Sequence, residues 1–150
     1  MLKTTKTLKA GDGALHVVKY NISGEYCLSG GQNREVTLWN PTSGSKIKTY
    51  EGHGWEVLDI SISPDNARFA SVGGDKAVYA PSLLGFSVLT CNRFLWDVAT
   101  GKTIRRFLGH THRVNAVDFN SDASVIATGS YDASVRLCDC KLVSFIAFHS

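Results

Sequence analysis

One pattern, written three times, constrains this chain more than its composition does. Residues 49–78 (TYEGHGWEVLDISISPDNARFASVGGDKAV) match residues 106–135 (RFLGHTHRVNAVDFNSDASVIATGSYDASV) without a gap at an offset of 57. The segment from Leu8 to Asn40 matches the same copy at an offset of 42, which puts Asn33 on Asp75 and Val36 on Val78. The two offsets differ by 15 residues, and setting aside 79–93 brings FLWDVATGK (Phe94 to Lys102) into register with TLWNPTSGS (Thr37 to Ser45). The period is therefore 42 with one interruption, and the repeats run approximately 8–49, 50–106 and 107–150. Each copy is then one supersecondary unit, which cannot bury its faces alone and stacks on its neighbours.

Within each copy, short runs such as Val114 to Phe119, Val125 to Thr128, Ser134 to Cys138 and Thr103 to Leu108 alternate apolar and polar residues. Ser63-Pro64-Asp65, Ser121-Asp122-Ala123, Gly73-Gly74-Asp75 and Thr100-Gly101-Lys102 separate such runs with the residue types that turns need. Alternation with period two predicts strands, not helices. Four strands in 42 residues is the size of one propeller blade. The expected fold is all-β: a partial β-propeller of about three four-stranded blades, interrupted by 15 residues in the second repeat.

Gly52-His53 and Gly109-His110 open two of the copies, and Trp39-Asn40 and Trp96-Asp97 close two of them. These residues resemble the Gly-His and Trp-Asp signatures of WD-repeat (WD40) proteins, over Leu8 to about Asp139. KTLKAGDGALHVVKYNISGEYCL, YEGHGWEVLDI, GGDKAV and FLWDVATGK are similar in particular to the mitogen-activated protein kinase organizer group of that family. The resemblance implies a non-catalytic scaffold that binds proteins, among them components of a mitogen-activated protein kinase cascade and of pre-mRNA splicing complexes. A generic WD-repeat adaptor of another assembly, such as a ubiquitin ligase or a chromatin complex, is the alternative.

His53, Ser71 and Asp75, echoed by His110, Thr128 and Asp132, have the residue types of a nucleophilic triad. Repetition argues against catalysis, because an active site is built once, whereas a bond network present in several copies solves a problem those copies share. In WD-repeat proteins these positions, together with a tryptophan that is here Trp96, form a buried structural network. The first copy keeps only Ser29 and Trp39, with Gly11 and Asn33 at the His and Asp positions, so its blade is expected to be weaker. The third has Cys138 where the tryptophan belongs, which removes a large buried ring.

No cofactor or metal is expected. Gly11-x-Gly13 and Gly30-Gly31 lack the rest of a phosphate loop, and Cys27, Cys91, Cys138 and Cys140 contain no CxxC pair. A formal net charge of +3, with small basic spots at Lys3, Lys6 and Lys9 and at Arg105-Arg106, announces no direct nucleic-acid partner. Neither an apolar leader nor a membrane-spanning run is read, and no small-molecule substrate is expected. The expected location is cytoplasmic and/or nuclear.

The resemblance also implies where partners would bind. The family's loop rim takes the residues three and five after the Gly-His histidine and the residue before the turn aspartate. Here these are Ala14, His16 and Gln32, then Glu56, Leu58 and Gly74, then Arg113, Asn115 and Tyr131, with Trp55 beside them. Tyr131, Arg113 and Trp55 are of the types enriched in contact hot spots. Three copies do not close a ring of about seven blades, so open strand edges are expected. The interruption falls inside the third strand of the second copy, and 8 of its 15 residues are apolar. It reads as a retained intron, and Val143-Ser144 is compatible with a further splice donor. An isoform with an extruded apolar loop, or a non-functional mis-spliced fragment, are the other readings.

Overall fold

The computed structural model describes residues 6–74 and 93–141. Within them, strands form three antiparallel sheets, each a meander in chain order. The first blade holds β1 (Leu15–Tyr20), β2 (Cys27–Gly31), β3 (Glu35–Asn40) and β4 (Ser45–Glu51). The second holds β5 (Val57–Ile62), β6 (Arg68–Gly73), β7 (Arg93–Asp97) and β8 (Thr103–Phe107), and the third holds β9 (Val114–Phe119), β10 (Val125–Ser130) and β11 (Val135–Asp139). The first strands of the blades stand side by side, with β5 against both β1 and β9. No helix occurs among the described residues. The chain is thus an all-β partial propeller.

The repeat extends to the turns. Asn21, Ser63 and Asn120, equivalent by the offsets, each accept a bond from the backbone N–H five residues on, at Tyr26, Arg68 and Val125, at 3.1, 3.1 and 3.0 Å. The tight turn so closed places Gly24, Asn66 and Ala123 at one left-handed position, with φ of 73, 60 and 56°. Gly and Asn adopt that conformation readily, and an alanine there is strained.

The core lies between the blades, where facing sheets interdigitate. Blades one and two bury Leu28, Val36, Leu38 and Val57 around four aromatic rings. Trp96 stacks on Phe69 and Phe94 at 5.8 and 5.4 Å, and Tyr50 meets Phe69 and Trp96 edge-on at 4.7 and 5.9 Å. Blades two and three instead bury mainly aliphatic and thiol groups, among them Val72, Leu95, Val117, Ile126, Cys138 and Cys140, with Phe107. On the other face of blade one, Leu8 and Ala10 cover Trp39 and Cys27.

Most of the interruption, and residues 142–150 of the third repeat, fall outside the described residues. Its last residue, Arg93, lies within a strand. Arg93 is the first residue of β7, opposite Val72 on one side and Phe107 on the other. A third strand that pairs with two neighbours needs a residue at this position, and Arg93 supplies it.

Candidate functional site: buried networks and the loop rim

In blade two, Trp96 Nε1 donates to Ser71 Oγ at 2.9 Å, and the same hydroxyl meets His53 Nε2 at 2.7 Å. Asp75, the fourth expected member, lies outside the described residues. Ser71 is 0% exposed, and His53 is buried under Phe94, whose ring centroid lies 4.5 Å away. A nucleophile has to meet a substrate, and among the described residues this hydroxyl bonds side chains of its own blade.

Blade three is more completely described. His110 lies 2.8 Å from Asp132 Oδ2 through Nδ1 and 3.0 Å from Thr128 Oγ1 through Nε2. Asp132 also accepts from the N–H groups of Thr111 and Ser134 at 3.1 and 2.9 Å. Burial pushes the Asp132 carboxyl up, but the bonds from Ser134, His110 and Thr111 outweigh it and hold the group far below the usual carboxylate range. His110 is held below the ordinary histidine value, first because burial penalises the charged ring. Arg93 and Arg136 press the same way, against the pull of Asp132. The pair is therefore a neutral imidazole donating its Nδ1–H to an ionised carboxylate.

Blade one, lacking the His and Asp, ties its loop differently. Trp39 Nε1 donates to Ser29 Oγ at 2.9 Å, as in blade two. Asn33 Nδ2 donates to the Ala10 carbonyl at 3.2 Å, and the Ala14 N–H donates to Gln32 Oε1 at 2.9 Å. Two amide side chains thus do part of what a histidine and a carboxylate do in blade three.

At the rim, the three aligned positions of each blade come together. The N–H of Gln32, Gly74 or Tyr131 donates to the carbonyl of Ala14, Glu56 or Arg113, at 2.9, 3.0 and 3.1 Å. His16, Leu58 and Asn115 are each the unpaired residue where the register of the first strand slips against the second. A bulge of this kind leaves one residue out of the ladder and re-aims its side chain. The slip demands close backbone approach: a Cβ on Gly31 or Gly73 would lie 2.2 Å from the carbonyl oxygen of Ala14 or Glu56.

The rim side chains differ in what they do. His16 Nε2 and Glu56 Oε2 pair at 3.0 Å, joining blade one to blade two. The Arg113 guanidinium lies 4.0 Å from the Tyr131 ring centre, with Tyr131 62% exposed. Asn115, Gln32 and Ala14 are exposed, Glu56 and Leu58 are half-buried and Gly74 is buried. Exposed Trp55 carries Arg34 above its ring at 5.8 Å, a cross-blade contact that the repeat alignment does not flag, since equivalent residues within a blade say nothing about pairs between blades. Among the described residues, no group of three or more His, Cys, Asp or Glu side chains is placed to hold a metal ion.

The family model for the WD domain, G-beta repeat, matches residues 44–79 and 101–139. The chain belongs to the WD40 family. It is 32% identical over 144 residues to the WD repeat domain-containing protein 83 homolog of Dictyostelium discoideum, covering 95% of this chain and 39% of that protein. It is 46% identical over 69 residues to WD repeat domain-containing protein 83 of Homo sapiens, covering 46% of this chain and 22% of that protein. Autophagy-related protein 16 of Arabidopsis thaliana is 29% identical over 133 residues, 88% of this chain and 23% of that protein. The WD40 repeats described here therefore span about two fifths or less of these relatives.

Proposed function

We propose that this chain forms part of a non-catalytic WD-repeat scaffold that takes protein partners on its loop rim, the 150 residues acting as one incomplete propeller domain. One observation carries the reading: a 62% exposed Tyr131 stacked with Arg113 at 4.0 Å, in the same loop cluster as the bulge residue Asn115. Aromatic and guanidinium groups held this way offer large contact area at low entropic cost, which is what contact hot spots use. Burial of the Ser71 hydroxyl and of the His53 and His110 rings favours a structural over a catalytic role for those residues.

Similarity to WD repeat domain-containing protein 83, with the motif resemblance to the kinase organizer group, favours components of a mitogen-activated protein kinase cascade as partners. Pre-mRNA splicing complexes are the second assembly that the resemblance suggests, and a cytoplasmic and nuclear location suits both. The test is capture of purified cascade kinases on the immobilised chain. Arg113→Ala with Tyr131→Ala is expected to weaken capture roughly tenfold or more, and Ile104→Ser on the circumference to leave it intact. Unchanged capture by the rim variant refutes the rim, and absence of capture by the parent chain refutes the kinase reading.

A further inference from the structure

The third blade has no tryptophan for its network, yet Thr128 Oγ1 has a nitrogen donor where Ser29 and Ser71 have an indole. That donor comes from the neighbouring blade. Arg93 Nη1 donates to Thr128 Oγ1 at 2.9 Å, the same distance as Trp39 Nε1 to Ser29 and Trp96 Nε1 to Ser71. Arg93 Nη2 donates to the Leu108 carbonyl at 2.9 Å and Nε to the Phe107 carbonyl at 3.4 Å, and the residue is 3% exposed. We propose that Arg93 is the positioning residue of blade three, a clasp from blade two that replaces the missing indole donor and fixes the network holding the Tyr131 turn.

The bond order supports this. In blade three, Arg93 Nη1–H donates to Thr128 Oγ1, whose hydroxyl lies 3.0 Å from His110 Nε2 and 3.3 Å from the Arg136 carbonyl, while His110 Nδ1–H donates to Asp132 beside Tyr131. Blade two shows the same first two links, from Trp96 through Ser71 to His53. A neutral His110 fits a ring with a guanidinium two hydrogen bonds away, through Thr128. The space vacated by the indole is occupied as well: Arg136, aligned with Phe94, comes with Arg93 beneath Gly109, where an added Cβ would lie 2.7 Å from Arg136 Nη1 and 3.8 Å from Arg93 Nη2.

The clasp depends on the end of the interruption. Arg93 stands where blade one has Val36, and a chain running directly from Val78 into Phe94 would place a valine there. Valine packs but cannot donate, so the two chains would differ in how blade three is held. The proposal concerns the blade interface and stands whether or not the rim binds a kinase.

The test is a double-mutant cycle on the 150-residue chain with Arg93→Val and Thr128→Val, read by thermal unfolding. Arg93→Val is expected to lower the midpoint by roughly 5 °C or more. The double variant is expected to lose clearly less than the two single losses together. In Arg93→Val the His110 ring, followed by NMR, is expected to titrate at higher pH than in the parent, and Arg93→Lys, which restores a charged donor, is expected to reverse that shift. Additive losses, or an unmoved His110 titration, overturn the proposal. Should a variant not fold, the parent chain decides: resolved, slowly exchanging Arg93 Nη–H signals close to the Thr128 methyl are expected, and one averaged signal overturns it.

Discussion

Ser71 Oγ is shared by an indole N–H and an imidazole nitrogen inside a buried interface. Replacing it with alanine removes a hydrogen bond from each of two buried groups, at about 1–3 kcal/mol each. Ser71→Ala is therefore expected to remove roughly 2–6 kcal/mol of unfolding free energy, measured by urea titration. A catalytic serine would behave oppositely, losing an activity while keeping stability. His110 and Asp132 give a second residue-scale expectation, in pH. Both titrate below their ordinary values of 6.5 and 3.8 in the fold, so the unfolded chain takes up their protons first. Stability from His110 is complete above 6.5 and drains as pH falls below it, and that from Asp132 drains below 3.8. The groups facing His110 from its surroundings, Arg93, Arg136 and Asp132, do not reverse that sign. The unfolding midpoint should drop between pH 7 and 5, and His110→Gln should flatten that part of the curve. A parent curve as flat as the variant's would refute the assignment.

At the scale of turns and strands, the left-handed positions separate what the sequence discloses from what it conceals. Gly24 and Asn66 are residue types a left-handed turn favours, whereas Ala123 was legible as part of the Ser121-Asp122-Ala123 turn but its residue type does not disclose a positive φ. Equivalence through the repeat supplies that. Ala133 is the exposed counterpart, at φ 63°, in the rim turn where blade one has Arg34 at 66°. Ala133→Gly should relieve about 1–2 kcal/mol of strain and return part of it as chain entropy. The net gain, about 0.5–1 kcal/mol, should appear as a midpoint roughly 1–4 °C higher by calorimetry. A lower midpoint would mean that the methyl group contributes contacts outweighing the strain. The strands were legible because alternation and offset both report on them. The bulges were not, since a register slip is a property of two strands together: His16, Leu58 and Asn115 align as one rim position, but that each is a bulge residue shows only in the pairing. Arg93 was hidden for a related reason: alignment assigned it to the interruption, while its hydrogen bonds reach Thr128 on the next blade, 35 residues on.

Across the whole molecule, the two blade interfaces are built from different materials, and their strengths should differ accordingly. The first packs Tyr50, Phe69, Phe94 and Trp96 against one another, ring pairs that add about 0.5–1.5 kcal/mol beyond the area they bury. The second has Phe107 among aliphatic and thiol groups, with two guanidiniums at the positions aligned with Val36 and Phe94. The far face of blade three is also less covered than its counterparts. Val36 and Leu38 are 0% and 6% exposed under blade two, whereas the equivalent Val135 and Leu137 on β11 are 67% and 47% exposed among the described residues. Sub-global opening follows buried apolar contact, so blade three should detach before blades one and two separate. Native-state hydrogen exchange is expected to show amides of β10 and β11 exchanging tenfold or more faster than those of β2 and β6, a gap of about 1.4 kcal/mol. Arg93→Val should widen that gap while leaving β2 protected, because the bonds to Thr128, Leu108 and Phe107 lie at the second blade interface. Equal protection across the three sheets would mean that the charged clasp matches the aromatic stack, and that the loop rim of blade three is as fixed as that of blade two.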